Sequence, residues 1–471
     1  MRLPLMLSAA TLALAFPALG LAQRNAMPSS VKVDPAVAKA RDEALKNDKV
    51  AWDIVEDLTT EVGQRLAATE AEARARAWAV VRLKKLGFQN VHVETYKMPV
   101  WLRGEERAEI VGPYPQKLVI AALGRSGATP PAGITAPVVY FPTLNDLIAA
   151  PDGSLKGKIA FISNQMEATQ DGSGYFSYGG ARFIGPNIAA KKGALAAVIR
   201  SIGSDKGRWP HTGGTNWAPG VAPIPAGALS VADAEQLERI FSRTDKVTMK
   251  LVLTPQTLPE GESGNVVAEV PGSDPKAGIV LIGGHLDSWD LATGAIDDGA
   301  GIAITTAAAK RQLDGPRPRR TIRVVWFGAE EPGGFGGQAY AKAHAGEKFA
   351  MASESDFGAD NVWRFNTNLP DNAKGIGDRL AVALAPLGIV RGRDVAGGGT
   401  DVSPILASGV PAVTLDQSGQ RYFDWHHTPE DTLDKIDPEQ LRQNVAAWTT
   451  LLWIVANAPE ELGPVTPHTG E

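Results

Sequence analysis

The chain has 471 residues, 44% of them hydrophobic and 21% charged, with a formal net charge of -5 and no cysteine. That length suits two or three globular domains of roughly 150 residues each, and the mildly acidic balance gives nucleic acid or an anionic membrane surface no electrostatic hold. Without cysteine, disulfides, thiol catalysis and a lipid-modified anchor are all excluded.

At the amino end, Met1 to Ala22 carries a lone early Arg2, an apolar stretch through Leu12-Ala13-Leu14-Ala15-Phe16, and Gly20-Leu21-Ala22 as a small-x-small cleavage site. It reads as a secretory signal (1–22) cut before Gln23, so a periplasmic or secreted chain is expected, with no membrane span after cleavage. Pro17 and the short apolar core argue against an uncleaved anchor. Thr69-Glu70-Ala71-Glu72 is a capping-box pattern that predicts a helix stopping at Gly87, with Lys84 and Lys85 in its last turn. Asn90 to Tyr96 alternates like a strand, which makes His92 structural.

The texture changes near Gly124. Pro130-Pro131-Ala132-Gly133 reads as a boundary, and short strands at Val138 to Phe141 and Lys158 to Ile162 follow. A helical Asn187 to Lys192 then leads into Ala196-Ala197-Val198-Ile199. This stretch, 126–254, holds no cluster of ligand-type residues. His211 falls on a loop, Trp209 to Gly214, where a solvated imidazole is expected.

Beyond Ser263, strands alternate with helical stretches, the pattern of a sheet covered by helices on both faces. Six residues here read as a cage for two metal ions: His285, Asp297, Glu330, Glu331, Asp356 and His427. Each sits where an apolar run gives way to a Gly-rich or polar segment, the place where an α/β sheet presents side chains to a cleft. His285 follows Ile279-Val280-Leu281-Ile282 and is a good zinc ligand through one ring nitrogen; Asp287, two residues on, is expected to accept the other ring N–H. Asp297 opens the helical stretch Ile302 to Lys310. Glu330-Glu331 closes the strand Ile322 to Phe327, and Asp356 follows Phe349-Ala350-Met351. His427 lies in Trp425-His426-His427-Thr428-Pro429, with Asp431 either supporting it or capping a turn. Borderline zinc accepts such N/O sets, and a pair about 3.5–4 Å apart can clamp a hydrolytic transition state.

His285-x-Asp287, Asp297-Asp298-Gly299, Glu330-Glu331 and His427-Thr428 with Asp431-Thr432 resemble, in order and spacing, the co-catalytic di-zinc exopeptidases. That family includes bacterial leucyl aminopeptidases and glutamate carboxypeptidases. Ala329 to Gly334, Glu354-Ser355-Asp356 and Tyr422 to His427 look closest to its plasma glutamate carboxypeptidase (carboxypeptidase Q) branch. The resemblance implies a mixed, mostly parallel α/β sheet flanked by helices, with 126–254 as an inserted protease-associated domain. The catalytic domain would comprise 23–125 and 255–460, leaving a tail at 461–471.

It further implies two Zn2+ ions held by His285, Asp297 as the bridge, Glu331, Asp356 and His427. A metal-bridging hydroxide would attack the scissile carbonyl with Glu330 as general base, and Asp287 would assist beside His285. A cis peptide at Asp297-Asp298 is expected as well. The expected substrates are dipeptides or short peptides, cleaved by a carboxypeptidase or dipeptidase, with aminopeptidase activity as the alternative. A homodimer is left open. Glutaminyl cyclase, which needs one zinc, and a non-catalytic ectodomain are more distant readings.

His426 stands where acid-preferring relatives carry Tyr. It is read either as an oxyanion donor lining the cleft or as a packing residue. Gly399, within Gly397-Gly398-Gly399-Thr400-Asp401, is read as substrate-binding backbone or an ordinary loop. Asp437-Pro438 starts the last long helix, whose Leu441, Val445, Trp448, Leu452 and Val455 recur at helical spacing as core. His344 is expected to face solvent, and the chain after Pro459 to be disordered.

Overall fold

The computed structural model describes residues 31–467, so the expected leader and His468 lie outside the described residues. Among the described residues, no helix is long and apolar enough to cross a membrane.

The central sheet has five strands in the order Gln89–Leu102, Gln256–Val270, Thr321–Phe327, Ile279–His285 and Phe349–Glu354. Its last three strands are mutually parallel, and the first two pair antiparallel. A strand's period of two sorts the apolar residues into opposite faces. Val280, Ile282, Val324 and Trp326 enter a core shared with the helices Pro35–Asn47, Val50–Glu61, Ala300–Asp314 and Pro438–Val455. Leu281, Val325 and Phe327 instead join Tyr340, Ile405 and Leu406 in a second core. Burial on both faces explains why Ile279–Ile282 is a continuous apolar run rather than an alternating one.

The capping residues act as expected. Thr69 accepts from the Glu72 N–H at the start of Glu70–Lys85, and Asp437 accepts from the Glu439 N–H at 2.7 Å. All five apolar residues expected in the core on the last helix are buried.

A second sheet of eight strands is drawn from Glu106 to Leu253. It contains the expected strands as Ile134–Phe141, Ile159–Ile162 and Ala196–Arg200. Three of its strands precede residue 126, because Glu106–Gly112 pairs antiparallel with the returning Thr248–Leu253. The change of sequence texture therefore falls inside this sheet, after its first strands.

Two expectations fail by burial. The described residues after Pro459 are held to the body: Arg320 donates to the Glu460 carbonyl, the Val465 N–H donates to the Gly409 carbonyl at 2.8 Å, and Leu462 is buried. His344 lies over Tyr340 with ring centroids 4.1 Å apart and reaches Glu94 at 3.1 Å, so it does not simply face solvent.

Candidate metal centre

The three parallel strands end side by side, and their carboxyl ends deliver His285, the Glu330-Glu331 turn and Asp356 to one edge of the sheet. Asp297 arrives on the loop after His285, and His427 follows the short helix Tyr422–Trp425.

Asp297 lies between two groups. Its Oδ1 is 3.1 Å from His285 Nε2, which is also 3.5 Å from Asp356 Oδ1. Its Oδ2 is 3.2 Å from His427 Nε2, which in turn is 3.0 Å from Glu331 Oε2. The five expected donors thus meet around one carboxylate, in two clusters of which Asp297 is the common member. The peptide bond following Asp297 is cis.

The polar inventory leaves room for cations. His285 Nδ1 lies 2.9 Å from the Asp287 main-chain carbonyl, which can only accept, so Nδ1 carries the proton. In the neutral ring, Nε2 then aims a lone pair at two carboxylate oxygens, an arrangement that a positive ion between them resolves. Asp297 Oδ2, Glu331 Oε1 and Asp356 Oδ1 are buried without a hydrogen-bond partner among the described residues. Orphaned acceptors of this kind are costly in a protein interior unless a ligand completes them. The N/O donors therefore fit divalent metal ions.

Electrostatics bear the marks of crowding. Burial pushes Glu330 well above the usual carboxylate range; the charge of His285 opposes this, while Asp356, Glu331 and Asp287 add to it. Glu331 is pushed up to about 6 by burial, with His427 opposing. For Asp297, burial is outweighed by the adjoining His285 and His427, so its carboxyl lies well below the usual range. Burial and the neighbouring His427 hold His426 well below the ordinary imidazole range.

Supporting contacts differ in part from the sequence reading. Asp287 meets the His285 ring through its main-chain carbonyl, while its carboxylate Oδ1 is 3.7 Å from Nδ1 and accepts from the Glu330 N–H at 3.0 Å. It thereby orients the Glu330 turn. Asp431 accepts from the Ile296 N–H at 2.7 Å and steadies the Asp297 loop, not His427. Asp298, part of the Asp297-Asp298-Gly299 motif but given no role of its own by it, accepts from the His285 and Gly301 N–H groups, each at 3.0 Å. A Cβ at Gly301 would come within 1.8 Å of the Ser355 carbonyl, so only glycine permits this approach.

A cavity of about 430 Å3 opens over the cluster, lined by Glu330, Asp356, Tyr175, Tyr422 and His426 among others. His426 stacks on His427 with centroids 3.5 Å apart, and its Nε2 lies 3.5 Å from Asp297 Oδ2. Gly399 is set behind the wall, where a Cβ would meet Glu354 Oε2 at 2.4 Å; Thr400, Ser403 and Pro404 of that loop line the cavity instead. His211 is not solvated: it is 1% exposed, with Nε2 2.6 Å from the Asp205 carboxylate. Sequence reading also passed over Arg125 and Arg182, which reach this cavity from the second sheet's loops and helices without any motif to mark them.

The model of peptidase family M28 matches residues 265–452. Bovine carboxypeptidase Q is 37% identical over 412 residues, covering 86% of this chain and 85% of the relative. The crystal structure of a peptidase M28 precursor from Shewanella amazonensis SB2B is 47% identical, with a TM-score of 0.89 over 92% of this chain and 98% of that one. An aminopeptidase from Aneurinibacillus sp. strain AM-1 shares the fold at 22% identity, with a TM-score of 0.62 over 92% of this chain and 98% of that one. Identity at this level, sustained across most of both chains, makes the protein a member of peptidase family M28.

Proposed function

We propose that this M28 peptidase is a periplasmic or secreted di-zinc exopeptidase that cleaves dipeptides and short peptides, of the carboxypeptidase or dipeptidase type. The observation that carries this reading is the division of Asp297 between His285 with Asp356 on one side and His427 with Glu331 on the other. One carboxylate serving two N/O clusters suits a pair of zinc ions, with His285, Asp297, Glu331, Asp356 and His427 as ligands. When bound, the ions would polarise the scissile carbonyl and acidify the attacking water.

The rest falls to the protein. Glu330 lies in the cavity wall beside the cluster. It takes a proton from the attacking water and returns it to the leaving amine, and its raised affinity for protons suits both halves of that transfer. Asp287 keeps the Glu330 main chain in place. His426, held neutral by burial, has a buried Nδ1 without a partner and is free to donate one N–H to the developing oxyanion. We also read the second sheet as an inserted protease-associated domain that closes one side of the cavity, since Tyr175 and Arg182 line it from that part of the chain.

Zinc analysis of purified protein together with a panel of dipeptides tests this reading. Two zinc ions per chain, hydrolysis of free dipeptides, and loss of turnover in Glu330→Gln with zinc retained are expected. One zinc per chain with cyclisation of amino-terminal glutamine would move the protein to the cyclase branch of this fold. Cleavage of amino-blocked and free-amine substrates side by side separates the carboxypeptidase from the aminopeptidase reading.

A further inference from the structure

Away from the metal centre, two histidines share one carboxylate. His92 and Glu94 are two residues apart on the edge strand Gln89–Leu102 of the central sheet and so point to the same face. His344 caps the helix Phe335–Ala343, which follows the Glu330-Glu331 turn and packs on that strand. His92 Nε2 lies 3.1 Å from Glu94 Oε1, and His344 Nε2 lies 3.1 Å from both oxygens of the same carboxylate. Two ligands of one zinc ion, with bonds of about 2.0–2.1 Å at tetrahedral angles, stand at about this separation.

The protons of the two rings leave lone pairs facing Glu94. At Asn90 the strand takes a φ of 52° and its register slips, and the Asn90 carbonyl comes to 2.7 Å from His92 Nδ1. A carbonyl only accepts, so Nδ1 carries the proton, and Nε2 of the neutral ring presents a lone pair to a carboxylate oxygen. His344 Nδ1 lies 3.2 Å from Glu347 Oε2. Its other neighbour, Arg323 Nη1 at 3.5 Å, is committed to Glu347 and to the Tyr340 hydroxyl. The Nδ1 proton therefore belongs to Glu347, and Nε2 again aims a lone pair at Glu94. A carboxylate that orients an imidazole through one nitrogen and leaves the other bare prepares that ring to bind a metal.

Charge favours the same occupant. Glu94, Glu347 and Glu269 meet here with one guanidinium, Arg323, which pairs with Glu347 and Glu269. With both imidazoles neutral, these groups leave two negative charges, which one divalent cation balances. The carboxyl end of the helix adds partial negative charge beside His344. The His344 ring is fixed by its stacking on Tyr340, whereas the His92 side chain, 42% exposed, is free to turn towards it.

We propose that His92, Glu94 and His344 bind one zinc ion at the sheet edge, apart from the metal centre, and that this ion clamps the edge strand to the helix behind the Glu330-Glu331 turn. Two imidazole nitrogens and a carboxylate oxygen are its protein ligands, with water in the fourth position and Glu347 orienting His344. None of the three side chains lines the cavity over the metal centre, so the ion is structural and the site does not depend on the exopeptidase reading.

Zinc content and calorimetric zinc titration of the wild type, His92→Ala, Glu94→Gln and His344→Gln test the site. After equilibration with zinc and gel filtration, atomic absorption should find one ion fewer per chain in each variant than in the wild type. The titration should show the affinity for that ion falling by at least about 10–100-fold, the range for losing even an outer partner of a ligand. Zinc added beyond what the metal centre takes up should raise the thermal midpoint of the wild type and of no variant. His92 and Glu94 lie on a partly exposed edge strand, so their variants carry the test if His344→Gln fails to fold. Equal zinc content and affinity in all four proteins would overturn the site. So would a stabilisation that follows pH and ignores zinc, which would make the two rings imidazoliums. Because the readout is a difference of one ion, a wild type that cleaves no peptide would end the exopeptidase reading and leave this site standing.

Discussion

His211 Nδ1 donates to the main-chain carbonyl of His426 across 2.8 Å, while its Nε2 lies 2.6 Å from Asp205. The imidazole therefore ties the second sheet's long loop to the turn that carries His426 and His427. His211→Ala would leave Asp205 Oδ2 and the His426 carbonyl unpaired in a buried gap, a loss of about 2–4 kcal/mol. A lower thermal midpoint, measured by calorimetry, with reduced zinc retention on dialysis is the expected outcome. Unchanged values of both would show the tie to be idle.

Replacing His426 with alanine separates its two roles. As an oxyanion donor its removal should lower kcat by about a hundredfold to a thousandfold with little change in KM. As a packing residue beneath the Tyr175, Tyr422 and Phe423 rings its loss would instead lower the thermal midpoint and leave turnover alone. Steady-state kinetics with an unaltered kcat would remove the donor role.

Asp287→Ala is expected to act on chemistry more than on metal content. The His285 ring keeps its main-chain acceptor in this variant, whereas the Glu330 N–H loses its partner. Activity should fall about 10–100-fold, the usual effect of losing such a supporting contact, with two zinc ions still measured by atomic absorption.

Glu72 makes a prediction in pH. It is fully buried beneath the Glu330 strand end, accepting from Ser263 and from the Ala68 N–H, and burial pushes its carboxyl from 4.5 up to about 7. A folded-state value above the unfolded one means the native state binds the extra proton. Stability from this group is therefore full below about pH 4.5 and lost as pH rises through 7, by at most about 3 kcal/mol. Relative to wild type, Glu72→Gln should gain thermal stability between pH 5 and pH 8 in calorimetric scans taken across that window. A difference between the two proteins that is flat in pH would contradict the assignment.

Much of this centre is legible along the chain because its donors stand at the ends of apolar runs, and a strand that must be buried on both faces can expose a polar side chain only where it stops. His285, Glu331 and Asp356 come together for that reason. The finer contacts depend on facts that spacing does not carry. Whether Asp287 meets the ring through its carboxylate or its carbonyl is a matter of one torsion, and the answer determines that Glu330, not His285, receives the carboxylate. His211 looked like a loop residue because Gly and Pro surround it, yet the loop is covered by the turn at 426. Arg125 and Arg182 belong to the other sheet, and no local pattern links an arginine on a short helix to a histidine far along the chain.

The donors of the centre enter from five separate stretches, and His427 is the last to be synthesised. A nascent chain that has not reached this turn holds one cluster without its neighbour, so hydrolytic competence is deferred until nearly the entire polypeptide has emerged and closed upon itself.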